Sequence, residues 1–156
     1  FFASSEERKG QSFTKTVTQY ARQYVKPLVE SLRSVKGMPP DCERIAVTGR
    51  SINELASKMN SSKAAVLPMI GDVYRNGTYT VAPETKNKDS FEANVYTKGT
   101  AKVGGKKYEV TVITKKRRAN QDGDRYLQYG IGKADIVEDS ARSVEYELVG
   151  LEIEKP

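Results

Sequence analysis

The sequence predicts an α+β fold, with N-terminal helices packed on one face of a twisted, four- to five-stranded antiparallel sheet. Three observations predict it. Apolar residues recur at three- and four-residue spacing as far as residue 70. After residue 77 they alternate, the signature of strands. The two patterns are segregated along the chain, which separates α+β from interleaved α/β architectures. The 156 residues read as one domain, with 1–72 mainly helical and 73–156 forming the sheet. The chain opens on Phe1-Phe2 without an initiator methionine, so the expectation is the C-terminal piece of a larger protein.

The first helical stretch is 12–36, where Val17, Ala21, Tyr24, Val25, Leu28, Leu32 and Val35 form one stripe. Pro27 lies inside it, so the helix kinks or a second helix begins there. Gly37 and Pro39-Pro40 are the expected stop. Residues 38–50 read as a linker whose Ile45-Ala46-Val47 run is a small edge strand. Ser51 and Glu54 have capping-box spacing ahead of Ile52, Leu55, Ala56 and Met59. Ser62 caps a further short helix over 63–70. Gly71 and Asn76-Gly77 mark the change to strands.

The strands are expected at 78–82, along two long arms within 91–118, at 125–131 and at 144–153. Between them lie a charged loop (84–90) and a basic loop (115–124) turning at Asp122-Gly123. Gly104-Gly105 joins the long arms as a two-residue hairpin turn. On the second arm Tyr108, Val110, Val112 and Thr114 share one face, and Glu109, Thr111, Ile113 and Lys115 the other. Tyr108 and Tyr126 are the expected core tyrosines.

Composition excludes whole classes of chemistry. The chain has no histidine and one cysteine, Cys42, so Ser-His and Cys-His catalysis and nearly all zinc sites are ruled out. No metal or cofactor is expected. Hydrophobic content of 37% and mean hydropathy of −0.62 leave no run long enough to span a membrane, and no signal peptide is recognisable. The GIGKAD run (130–135) is not a phosphate-binding loop, and Asp122 and Asp124 lack the later ligands of a calcium loop.

The net charge is +6 and it is unevenly distributed. Between Lys98 and Arg118 there are eight bases and one acid, whereas 135–155 holds seven acids and two bases. A basic sheet with Tyr96, Tyr108, Tyr126 and Tyr129 on or beside it fits RNA, whose unpaired bases stack on rings while cations neutralise phosphates. Lys98, Lys102, Lys106, Lys107, Lys115, Arg117 and Arg125 are the candidate RNA-binding residues. Cleavage by the RNA's own 2′-hydroxyl needs a base, a cation at the phosphorane and an acid. Lys116, Arg118, Arg75, Tyr129 and Glu92 are the candidates for those roles. A non-catalytic interaction domain of a secretion or conjugation apparatus, or a plain RNA-binding module, fits the same composition.

The run AAVLPMIGDVYR, a charged loop, FEANVYTKGTAKVGGKKYEVTVITKK and DRYLQYGIG (63–132) resembles domains of phage polyvalent proteins and bacterial toxins. These belong to the barnase–EndoU–colicin–RelE-like superfamily. Gly104, Gly105, Lys106, Tyr108, Val110 and Val112 stand at the hairpin positions. The resemblance implies a small metal-independent ribonuclease acting on RNA, with tRNA the expected substrate. It further implies delivery as part of a secreted toxin into a target-cell cytoplasm and neutralisation by an acidic immunity protein. The pattern carries no catalytic signature, and the histidine that many members use is missing here.

Overall fold

The computed structural model describes residues 10–139. The strand expected at 144–153 lies outside them. The α+β architecture is as the sequence predicts. Five helices, α1 (Gly10–Tyr20), α2 (Lys26–Ser31), α3 (Gly49–Ser57), α4 (Ser61–Val66) and α5 (Ile70–Asn76), accompany five strands. The strands are β1 (Ile45–Ala46), β2 (Thr78–Pro83), β3 (Phe91–Val103), β4 (Lys106–Arg117) and β5 (Tyr126–Asp139). They form one sheet in the order β1-β5-β4-β3-β2.

β2 to β5 make an antiparallel meander, and β1 adds the one parallel pairing, Ile45 with Tyr126 and Ala46 with Leu127. The expected antiparallel sheet is therefore mixed at this edge. β1 is reached from the helical part by a long connection, so nothing forces it to run against its neighbour.

Of the predicted stripe, Val17, Ala21, Val25 and Leu32 are buried in the core with Val95, Val110, Val112 and Tyr126. Tyr24 is exposed, Leu28 and Val35 are only partly buried, and Val29, outside the stripe, takes a core place instead. Pro27 acts as expected of a first-turn proline, at the start of α2. Between α1 and α2 the chain makes one wider π turn over Ala21–Val25. The helix does not run on to Gly37. It ends at Ser31, with Leu32 extended, because the Arg33 guanidinium takes the terminal carbonyls of Glu30 and Leu32 at 2.7 and 2.8 Å. Gly37 serves a different purpose, donating its N–H to the Tyr74 carbonyl at 2.8 Å.

The capping residues are corrected as well. Thr48, not Ser51, caps α3. Its hydroxyl accepts from the Ser51 N–H at 3.1 Å, and the Ser51 hydroxyl accepts from the Thr48 N–H at 2.8 Å. Serine at the third helical position replaces the usual glutamate. Asn60, not Ser62, caps α4. The helical path then continues past Gly71 through Leu67–Met69 and α5 to Asn76.

The Gly104-Gly105 turn forms as predicted, with φ of +56° and +75°, as a type I′ hairpin requires. The faces of β4 also fall as predicted: Tyr108, Val110, Val112 and Thr114 are buried. Tyr126 is buried too, whereas Tyr96 and Tyr129 are only partly so. β5 is twice the expected length. Three register shifts against β4 lie between Lys107 and Tyr108, Thr111 and Val112, and Ile113 and Thr114, and such bulges bend and twist a sheet strongly.

One core residue is out of keeping with its surroundings. Gln128 is fully buried, and neither amide atom has a hydrogen-bond partner among the described residues. It sits opposite Thr114, whose hydroxyl is taken by Tyr74 at 2.7 Å. Gln128→Met keeps the volume and removes two stranded polar groups, so it is expected to raise stability by about 1 kcal/mol. A urea midpoint that falls would show that the amide is satisfied.

Candidate nucleic-acid interface

The helices cover one face of the sheet, and alternation sends every second residue to the other. On that outer face β3 presents Asn94 and Tyr96, β4 presents Ile113 and Lys115, and β5 presents Tyr129. Two walls rise beside them. Arg50, Glu54 and Lys58 come from α3 along the β5 side, and the loop after β2 contributes Glu84, Thr85, Lys86 and Asn87. The enclosed cleft measures about 420 Å³.

Lys115 is its centre. Its ammonium is ion-paired with Glu84 and hydrogen-bonded to Asn94 Oδ1 at 3.1 Å. It lies 5.1 Å from the Tyr129 ring centroid and 5.4 Å from that of Phe91, within cation–π range. The two rings meet edge to face at 5.7 Å. An ammonium has three N–H donors. Two are accounted for, which leaves one for a ligand.

The Glu84 side chain is only 4% exposed. Burial alone would push its carboxyl up. The Lys115 ammonium and the N–H groups of Lys86 and Asn87, at 3.2 and 3.3 Å, outweigh that and bring it down to about 2. Glu84 therefore stays anionic. Its role is to fix the ammonium against the rings, and a carboxylate that acidic is a poor base. On the walls Lys58 pairs with Glu54 at 3.3 Å. Arg50 and Lys86 form no ion pair among the described residues, so the cleft retains uncompensated positive charge.

Of the residues singled out in the sequence, Tyr96, Tyr129 and Lys115 meet in this cleft, and Arg117 lines a hollow beside it. Lys98 follows Tyr96 on the outer face of β3 and is exposed. Lys102 and Lys107 are register partners near the hairpin end, and Lys106 lies opposite Val103 and Asp139. The other candidates are dispersed. Lys116 points to the helical side, 3.1 Å from Asp41, which also accepts from the Tyr126 hydroxyl at 2.9 Å. Burial works against the Asp41 carboxylate there, but these two donors lower it overall. Arg118 donates to the Lys88 carbonyl, and Arg125 pairs with Glu92 beside the bulge at the start of β3. Arg75 ends α5, paired with Asp72 at 3.0 Å, away from the cleft.

The sequence did not single out Arg50, Glu84, Lys86, Phe91 or Asn94 for this site. Phe91 and Asn94 lie on a strand the sequence does show, and Arg50 at the start of a visible helix, but nothing local marks any of the five for a site. The pairing of β2 with β3, β3 with β4 and β1 with β5 sets their segments around Lys115. Among the described residues no cluster of His, Cys, Asp and Glu could hold a metal ion, and no helix is long and apolar enough to cross a membrane.

No curated protein and no solved structure matches the chain. Residues 13–127 match a family described as large polyvalent protein-associated domain 3. That match takes in nearly all of the helical part, the wall residues Arg50 and Lys86, the hairpin, and Lys115 with Glu84, Phe91 and Asn94, and it ends just short of Tyr129. By that extent of agreement the chain belongs to the large polyvalent protein-associated domain 3 family.

Proposed function

We propose that this domain is a metal-independent ribonuclease module that seats single-stranded RNA in the cleft on the outer face of its sheet. The observation that carries the reading is the Lys115 cluster, an ammonium packed against two aromatic rings with a donor to spare, flanked by Arg50 and Lys86. Cations and exposed rings in one groove are the means of binding an unpaired strand. A phosphate sits against Lys115, and a base stacks on Tyr129 or Tyr96.

In the cleavage step the 2′-hydroxyl attacks the neighbouring phosphorus, and the 5′-oxygen leaves with a proton. Lys115 stabilises the phosphorane charge. Tyr129, Tyr96 and Glu54 are the cleft residues able to carry the two protons, since Glu84 is held too acidic. The same proposal makes the domain the effector part of a larger delivered protein, acting on RNA, with tRNA the first substrate to test, and held in check by an acidic partner. Its link to polyvalent proteins supports that setting.

The test uses end-labelled tRNA and a labelled single-stranded oligoribonucleotide in the presence of EDTA. Discrete fragments are expected from the wild type. Arg50→Ala with Lys86→Ala, both at exposed positions, is expected to weaken binding at least tenfold. The double variant should also reduce the salt slope by about 1.4, the value for two phosphate contacts on a single strand. Binding without fragments would reduce the reading to a binding module. A double variant that binds like the wild type would remove the cleft as the interface.

A further inference from the structure

The outer face carries a second hollow of about 350 Å³ beside the first. Arg50 and Tyr129 line both, so the two are compartments of one groove. The floor of the second is apolar. Phe91 and Leu127 are buried there in a small cluster with Ala46, and Tyr129 packs against it. The rim is cationic, with Arg50 and Arg117 contributing to the lining.

Arg117 is anchored through one nitrogen only. Its Nη1 donates to the Asp122 carbonyl at 2.7 Å. Its Nε is buried and has no partner among the described residues. The Nε–Nη2 edge is the fork with which arginine grips a phosphate through two parallel hydrogen bonds. A turn of the guanidinium about its Nη1 anchor offers that fork to the hollow and relieves the stranded Nε donor. Lys115 and Arg117 stand two residues apart on one strand face, about 7 Å along β4, which is the scale of one extended nucleotide.

We infer that the second hollow seats the adjacent nucleotide of the same strand, its base over the Phe91–Leu127 floor against the partly exposed Tyr129 ring and its phosphate against Arg50 and Arg117. The inference rests on the RNA reading above and adds to it a minimum ligand: a single strand of at least two nucleotides, with the second base unpaired.

The test is calorimetric titration at one fixed salt concentration with uridine 3′-monophosphate and with a 3′-phosphorylated diuridylate. The dinucleotide carries 2′-O-methyl groups so that it cannot be cleaved. The dinucleotide is expected to bind about tenfold tighter, from one stacked base and one charged hydrogen bond. Arg117→Lys is expected to lose most of that gain and to leave the mononucleotide affinity unchanged, which also shows that the first compartment is still built. Equal wild-type affinity for the two ligands overturns the inference and leaves the RNA reading standing. An equal loss for both ligands in Arg117→Lys overturns it too. If neither these ligands nor a longer oligoribonucleotide binds the wild type, the RNA reading has failed and this inference falls with it.

Discussion

Lys115→Met is expected to lower the stability of the domain by about 3–5 kcal/mol, because it leaves the Glu84 carboxylate buried without its cation. It should also abolish RNA binding. The loss has a pH signature whose sign follows from Glu84. In the wild type that carboxyl is lowered from an ordinary 4.5 to about 2. A lowered acid stabilises the fold fully above its unfolded value and ceases to do so as pH falls through the folded one. The contribution, about 3 kcal/mol, is therefore lost between pH 4.5 and 2. Urea midpoints measured across that range should fall steeply for the wild type. They should fall much less for Lys115→Met, whose Glu84 keeps only the Lys86 and Asn87 N–H donors against its burial. Glu84→Gln combined with Lys115→Met should recover most of the stability and none of the binding, since the two residues are coupled. An acid limb unchanged by Lys115→Met would show that the pair does not set it.

Gly77→Ala is the second large effect, an expected loss of about 3 kcal/mol. Gly77 links α5 to β2, and its φ of −74° is open to any residue, so the constraint is space. An added Cβ would lie 2.5 Å from the Val73 carbonyl oxygen, 2.7 Å from that of Lys98 and 3.0 Å from Thr97 Cγ2. Two of those are backbone atoms, which cannot swing aside. The same joint brings Gly37 against the Tyr74 carbonyl, and the Thr97 hydroxyl donates to Gly37 O at 2.6 Å. Gly49→Ala is the control. Nothing lies within 4 Å of its added carbon, and alanine favours the first turn of α3, so a small gain is expected. Comparable losses in the two variants would show that the close approach at Gly77 is not the cause.

The parts of the fold that obey a simple period could be read from the sequence. The stripe from Val17 to Leu32, the Gly104-Gly105 turn and the two faces of β4 are all of this kind. β5 is not. The residues opposite the inward side chains of β4 are Tyr126, Gln128, Ile131, Ala134 and Ile136. Their spacing is two, three, three and two, because the register shifts each insert a residue. A reader expecting strict alternation stops at Ile131, eight residues before the strand does. The cap of α3 is ambiguous in the sequence because Thr48 and Ser51 can both cap, and in the fold Thr48 takes the position with Ser51 as its capping-box partner. Of the site, the cation and two rings are visible in the sequence as Lys115, Tyr96 and Tyr129. The partners that position that cation, Glu84, Asn94 and Phe91, come together only once β2, β3 and β4 are paired.

The two-residue strand β1 has a consequence for how the chain is made. Ile45 is hydrogen-bonded alongside Tyr126, so a connection of some eighty residues must close before that pairing exists. The entropy of closure grows only as the logarithm of loop length, but closure is slow because it must precede the contacts that reward it. A nascent chain released as far as the Gly104-Gly105 turn has its helices and half of its hairpin, with Val47, Ile52 and Leu55 still lacking β5 to cover them. The domain becomes self-sufficient only when residue 127 is free to reach Ala46. Until then the face of α3 that packs on β5 is open to whatever accompanies it during synthesis.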